Sequence, residues 1–272
     1  MAKPCDDLSS YTAVIVTGGS SGIGKSFIKL TQTMQPGLRF CNLSRREPGL
    51  KSDALKLEHI TCDLSDPVSL GQAVPRVLAW LKLAAPTGRL LLINNSGFGA
   101  YGHFPEPGLD HQLEMLDVNV RAVVELTGHL LPELKARGGA VINVASTAAF
   151  QPTAYLAAYG ASKAFVLHWS LALNEELRGT GVRVLAVCPG PTATDFFRRA
   201  GLKEGSVPDA LGMTSDAVVR ESLAALAAGR AQVVTGWKNW LGAALVTKLP
   251  KPWAAWLAAK VLARYRLKKV SA

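Results

Sequence analysis

Thr12-Ala-Val-Ile-Val-Thr17, followed without interruption by Gly18-Gly19-Ser20-Ser21-Gly22-Ile23-Gly24, is the stretch that decides the fold. Its first half is short, apolar and β-branched, which reads as a buried strand. Its second half is a glycine-rich turn, and a helical pattern then runs to about Met34. Glycines permit a tight turn and let backbone N–H groups approach a pyrophosphate, which then sits at the positive end of the following helix. An ordinary strand-to-helix turn would look similar, so the rest of the chain must arbitrate.

The same alternation continues outward. Leu38–Leu43, His59–Cys62, Arg89–Asn94, Ala140–Ala145, Val182–Cys188 and Gln232–Thr235 read as strands. Between them, Leu78–Leu83 lies in a helix, and Asp110–Lys135, Ala157–Arg178 and Ala217–Ala228 carry helical patterns. Strands apolar on both faces and separated by helices imply an α/β fold: one doubly wound parallel sheet covered on both sides. Such sheets bind ligands beyond the carboxyl ends of their strands. The loops after the strands are therefore where chemistry is expected.

The 272 residues suffice for one large α/β domain, placed at residues 1–236, with a tail at 237–272. Four scattered cysteines include no CxxC pair, so neither a disulfide framework nor a metal site is expected. The amino terminus has no secretory pattern and no apolar run reaches spanning length, so the cytoplasm is the default compartment. The net charge of +10 is a property of the tail. Residues 237–272 hold eight Lys/Arg and no Asp or Glu, while the remainder carries 22 basic against 20 acidic residues. A basic groove for nucleic acid is not implied.

Two further clusters carry chemistry. At the end of the second strand stands Ser44-Arg45-Arg46, with no acid before Glu47. An NAD site needs a carboxylate there for the ribose hydroxyls. Arg45 instead offers a planar fork to a 2′-phosphate, which favours NADP(H), unless both arginines are merely solvated. Farther on, Tyr159 and Lys163 are spaced i, i+4 and share one helix face. A nearby ammonium is expected to lower the phenol pKa toward the working range. Ser146 ends the preceding strand and offers a donor to a substrate oxygen. Tyr155 has no lysine four residues on and reads as a pocket-wall or packing residue.

The spacing TGxxxGIG at Thr17–Gly24, the Tyr159/Lys163 pair and Ser146 together resemble the short-chain dehydrogenase/reductase family, and the resemblance covers most of the chain. It implies a Rossmann-type fold and a tetrad of Asn119, Ser146, Tyr159 and Lys163, with Asn119 supporting a water beside the lysine. It implies cofactor contacts at Gly18, Ser20, Ser21, Gly22, Ile23, Gly24, Ser44, Arg45, Arg46, Tyr159 and Lys163. The adenine pair corresponds to Asp63 and Leu64. Asn94-Asn95-Ser96-Gly97 corresponds to the family's NNAG motif, with Ser96 in place of alanine and contacts expected from Asn95 and Gly97. Pro189, Gly190, Thr192 and Thr194 fall in its PGxxxT segment. The implied activity is hydride transfer between nicotinamide and a carbonyl or alcohol, with ketone reduction as the expected direction.

Residues 195–215 are expected to form a loop over the substrate. Phe196, Phe197, Leu202, Leu211 and Met213, with Phe98, Tyr101 and Phe104, offer an apolar lining suited to an apolar ketone or acyl substrate. In the tail, Trp237, Trp240, Trp253 and Trp256 accompany the basic residues, giving an amphipathic helix. Such a helix lies at a membrane surface or packs on the domain or across a subunit interface. The family resemblance implies a homo-oligomer. A non-catalytic NADP(H)-sensing or scaffold protein of the same fold is the competing reading, disfavoured because tyrosine and lysine both stand. Sugar-nucleotide epimerases resemble a longer chain with another glycine motif.

Overall fold

The structure is a computed structural model, described here for residues 8–50, 52, 54–196, 200–201 and 212–263. Strand β1 spans Tyr11–Thr17 and its side chains alternate between two cores. Ala13 and Ile15 enter one apolar cluster, while Tyr11, Val14 and Val16 enter the other. Both faces are therefore dry, and cutting Ile15 back to alanine would cost roughly 2–5 kcal/mol. The remaining strands are β2 (Arg39–Ser44), β3 (Lys56–Thr61), β4 (Arg89–Asn94), β5 (Gly139–Val144), β6 (Val182–Cys188) and β7 (Gln232–Val234). They form one parallel seven-stranded sheet in the order β3-β2-β1-β4-β5-β6-β7. The order reverses between β2-β1 and β4, which opens the crevice beyond the strand ends where a doubly wound sheet takes its ligand.

Helices α1 (Gly22–Met34), α2 (Pro67–Ala84), α3 (Leu109–Leu116), α4 (Ala122–Arg137), α5 (Ala157–Glu176) and α6 (Ser215–Ala227) cover the sheet. Phe27 and Ile28 of α1 pack with Val218, Val219 and Leu223 of α6 on one face. Leu70 and Leu81 of α2 pack with Leu126 and Leu130 of α4 on the other. Local chemistry sets the boundaries: Asp66 accepts N–H bonds from Val68 and Ser69, and Pro67 opens the first turn of α2. Two more helices close the described chain, α7 (Trp237–Val246) and α8 (Lys251–Leu262).

Two expectations need correction. Strand β3 begins at Lys56, three residues before the apolar run, because it is an edge strand whose residues alternate between exposed and partly covered positions. The single helix expected over Asp110–Lys135 is divided by one wider π turn at Asp117–Arg121. Of the tail, the described residues 237–263 hold α7 and α8, and α8 turns Ala254 and Leu262 inward and Trp253 and Trp256 outward. Among the described residues no helix is long and apolar enough to cross a membrane.

Candidate active site

The glycine loop sits at the carboxyl end of β1. Gly18 (φ 70°) and Gly22 (φ 52°) take the left-handed conformation that side chains disfavour. Ser21 precedes α1 in extended conformation without a side-chain cap, which leaves the first-turn N–H groups for an anion. The loop is pinned from two sides. The Gly19 N–H donates to Asn42 Oδ1 at 2.8 Å. Thr17 Oγ1 accepts the N–H of Asn95 and of Ser96, each at 3.0 Å, and Asn95 Nδ2 donates to the Thr17 carbonyl at 2.9 Å.

Beyond β2, Ser44 is buried and donates to the Arg46 carbonyl at 2.6 Å. Arg45 is 70% exposed and stands 3.7 Å from Asp63. Burial would raise the Asp63 carboxyl, but hydrogen bonds from Ser65 and the charge of Arg45 hold it below its usual value. An exposed pair of this kind contributes little to stability. Arg45 is thus free energetically to turn toward another anion.

The catalytic end gathers four side chains from three elements. Ser146 follows β5 and caps the short turn Thr147–Phe150, accepting the Ala148 N–H at 3.1 Å. Its hydroxyl also hydrogen-bonds Tyr159, in the first turn of α5. One turn on, Lys163 is buried and donates from Nζ to the Val144 carbonyl at 2.8 Å. Asn119 lies on the π turn, fully buried. Its amide donates to the Phe98 carbonyl at 3.0 Å and to Ser162 Oγ at 3.1 Å, and its oxygen accepts the Phe98 N–H at 3.2 Å. Asn119 therefore braces the segment after β4 against α5.

The expected lowering of the phenol pKa is not what this geometry produces. Burial pushes Tyr159 up to about 12, only partly opposed by the Ser146 hydrogen bond. Lys163 stands 6.0 Å from the ring centroid and spends a donor on Val144. Its own pKa falls to about 8, chiefly from burial. The phenol is accordingly a stable proton donor at neutral pH and the ammonium is the group poised to titrate.

A single cavity of about 1080 Å³ joins these parts. Its lining includes Gly18, Ser20, Ser21, Gly22 and Ile23; Ser44, Arg45, Arg46, Asp63 and Leu64; and Asn95, Gly97, Pro189, Gly190, Thr192 and Thr194, with Ser146, Tyr159 and Lys163. Gly24 and Asn119 do not reach the cavity: the first lies buried behind the loop and the second acts through its neighbours. The residues present fit a dinucleotide, because a left-handed glycine cradle and an uncapped helix start face the same elongated cavity as an exposed guanidinium.

On the substrate side, Phe98, Leu156 and Phe196 line the cavity. Phe104 does not, being 73% exposed, and Met213 instead bridges Thr192 and packs in the core. Tyr101 and Tyr155 pack against each other, ring centroids 5.9 Å apart. Phe197, Leu202 and Leu211 lie outside the described residues.

Sequence reasoning missed two groups. Thr17 and Asn42 hold the loop in place, yet their partners are distant in sequence and only the fold brings them to it. Val246, Ala254, Leu257 and Leu262 of the last two helices also line the cavity. No spacing rule relates them to Tyr159. Asn239 at the start of α7 abuts Gly190 so closely that a Cβ there would lie 2.3 Å from Asn239 Cγ.

Comparison with known proteins agrees with this geometry. A sequence model of the short chain dehydrogenase family matches residues 12–205. The chain is 32% identical to serine 3-dehydrogenase of Agrobacterium fabrum over 200 residues, covering 71% of this chain and 78% of that protein. It is 31% identical to an uncharacterised oxidoreductase of Myxococcus xanthus over 256 residues, covering 89% and 94%. Among solved structures, a short-chain dehydrogenase from Sphingobium yanoikuyae in complex with NADPH has a TM-score of 0.72 at 26% identity, covering 96% of this chain and 98% of that one. One from Burkholderia cenocepacia in complex with NADP has a TM-score of 0.74 at 24% identity, covering 93% and 98%. With the glycine loop, the parallel sheet and the Ser146–Tyr159–Lys163 cluster in one cavity, this chain belongs to the short-chain dehydrogenase/reductase family of oxidoreductases.

Proposed function

We propose that the protein is an NADP(H)-dependent reductase of an apolar ketone or acyl carbonyl. The observation that carries this reading is the single cavity running from the Gly18–Ile23 loop and Arg45 to Tyr159, Ser146 and Lys163. The preference for NADP(H) rests on Arg45, an exposed guanidinium at the β2 end with no acid before Glu47. The NADPH complex of the relative from Sphingobium yanoikuyae supports it.

A bound nicotinamide dinucleotide supplies the hydride. Gly18, Ser20, Ser21, Gly22 and Ile23 would hold its pyrophosphate, Arg45 and Ser44 its adenosine phosphate, and Asp63 and Leu64 its adenine. Asn95, Gly97, Pro189, Gly190, Thr192 and Thr194 would hold the remainder. Lys163 would hold the ribose hydroxyls, since an ammonium has three donors and Val144 takes one.

Ser146 donates to the substrate oxygen, and Tyr159 Oη gives up its proton to that oxygen as negative charge develops. With its pKa pushed up to about 12 by burial, the phenol holds that proton at neutral pH until the substrate oxygen takes it. Asn119 is a positioning residue: it fixes Phe98 and Ser162 and, through α5, the reach of Lys163. We further read the protein as a cytoplasmic homo-oligomer, a point that light scattering on purified protein checks.

The test is binding of NADPH and NADH, then NADPH oxidation against a panel of apolar ketones, with Tyr159→Phe in parallel. Expected are preferential NADPH binding, turnover of a panel member, and a loss of about 10²–10⁴-fold in turnover for Y159F with binding kept. Near-normal turnover by Y159F would sink the assignment. Binding without any turnover would favour the cofactor-sensing reading instead.

A further inference from the structure

Helices α7 and α8 have two apolar sides, and among the described residues only one is packed within the chain. Inward, Val246, Ala254 and Leu262 face the cavity, with Leu262 in the apolar cluster that contains Tyr159. Outward, Trp237, Trp240, Leu241 and Leu245 recur at i, i+3, i+4 and i+8, which puts them on one face of α7, and all four are exposed. On α8, Trp253 and Trp256 are 70% and 60% exposed. Leu257 and Val261 are half-exposed and yet line the cavity, so they stand at its rim. Going round α8, the apolar surface passes from the cavity over that rim to Trp253 without a charged residue between, and Lys260 then stands between Trp253 and Trp256.

Charge selects the occupant. The segment 237–272 has eight basic residues and no acid. Lys260 stands on the outer side with its Nζ 3.8 Å from the centroid of the Trp256 ring. Isologous pairing with a second copy would press Lys238 and Lys260 of this face, which stand beside Trp237 and Trp256, against their own duplicates. An anionic bilayer meets both features at once, since tryptophan rings favour the headgroup level and cations favour acidic lipid.

We propose that the outer face of α7 and α8 docks on an anionic lipid bilayer, so that the cavity beneath takes its carbonyl substrate from the lipid phase. This rests on the reading of the cavity as a reductase site and names its substrate class: a lipophilic carbonyl compound that partitions into membranes.

The experiment uses the full chain and Trp253→Ala/Trp256→Ala, which alters exposed side chains and leaves the cavity wall in place. Deletion of 237–272 would not serve, because it removes that wall. Both proteins are sedimented with phosphatidylcholine vesicles, with and without a one-third share of phosphatidylglycerol, at low and high salt. NADPH binding by fluorescence verifies the fold of each. The expected result is binding to the anionic vesicles, weakened by salt. The double variant should partition at least about tenfold less while binding NADPH equally.

No sedimentation of the unaltered chain with anionic vesicles overturns the proposal, as does equal binding by the double variant. A concentration-dependent dimer lost in the double variant, without vesicle binding, also overturns it and assigns the face to a second copy. Failure of NADPH binding by the unaltered chain would strike the reductase reading, and vesicle binding alone would still report on the docking face.

Discussion

The phenolic oxygen of Tyr101 donates to the main-chain carbonyl of Leu262 at 2.7 Å, joining the loop after β4 to the last turn of α8 across 161 positions. Lys251 Nζ makes a second tie at the start of α8, to the Phe150 carbonyl at 3.3 Å. Both ties fasten α8 to segments that line the cavity, one through Phe98 and the other through Ser146. Tyr101→Phe keeps the ring packing and removes the first tie, worth about 1 kcal/mol. Hydrogen exchange in residues 255–262 should then accelerate while the sheet is unaffected. Unchanged exchange there would mean that apolar packing alone holds the helix.

Arg45 should decide between the two nicotinamide cofactors. Its partner Asp63 is a weak competitor at 3.7 Å, so the guanidinium is available to a phosphate. A charge-assisted bond of this kind is worth about 1.5–3 kcal/mol, or roughly 10–100-fold in affinity. Arg45→Ala should weaken NADPH binding by that factor and alter NADH binding little. Titration of both nucleotides against both proteins measures it, and equal losses would indicate a general disturbance of the loop.

Lys163 predicts that activity and stability diverge in alkali. Burial lowers its pKa from 10.5 to about 8, so below pH 8 the folded chain carries a poorly solvated ammonium that costs about 3 kcal/mol. Between about pH 8 and 10.5 the unfolded chain binds more protons at this site, so its contribution to stability rises with pH. Loss of the ammonium over the same range should reduce turnover. Relative to Lys163→Met, the native chain should therefore gain in Tm from pH 8 to 10 while its kcat declines. A pH-independent Tm difference would show that the lysine is not desolvated.

Asn42 should act on the cofactor from behind the loop. It accepts from Gly19 and donates to Ser44 Oγ at 2.9 Å in a buried setting, and meets the partly buried His59 Nδ1 at 3.0 Å. Asn42→Leu strands the Gly19 N–H and should destabilise the fold by about 1–3 kcal/mol. Nucleotide affinity should fall with it, although Asn42 lies outside the cavity lining. Thermal unfolding with and without NADPH separates the two effects.

What could be read in the chain beforehand was what chemistry restricts to a few residue types at set spacings. The glycine loop, Ser146, Tyr159 and Lys163 are of that kind, and the structure brings all of them to one cavity. The alternation of strands and helices was equally plain, because buried parallel strands are apolar on both faces. Edge strand β3 was cut short because half of its residues are exposed. Thr17 and Asn42 were missed because their partners are distant in sequence and their types are common. Phe104 was misassigned because residue type says nothing about which way a loop turns. The phenol pKa was misjudged since spacing reveals a neighbouring charge but not the depth at which both groups lie.

The π turn at Asp117–Arg121 has a cost that the protein retains. A π turn holds one residue more than the regular helix it interrupts, and its hydrogen bonds are the less favourable kind. Loss of a single residue there would let α3 and α4 merge into one regular rod. That shorter chain would be locally the better helix, yet Asn119 would be rotated about a quarter-turn from Phe98 and Ser162. The extra residue acts as a phase adjustment between two halves of one helix, trading local regularity for the direction in which a single amide points.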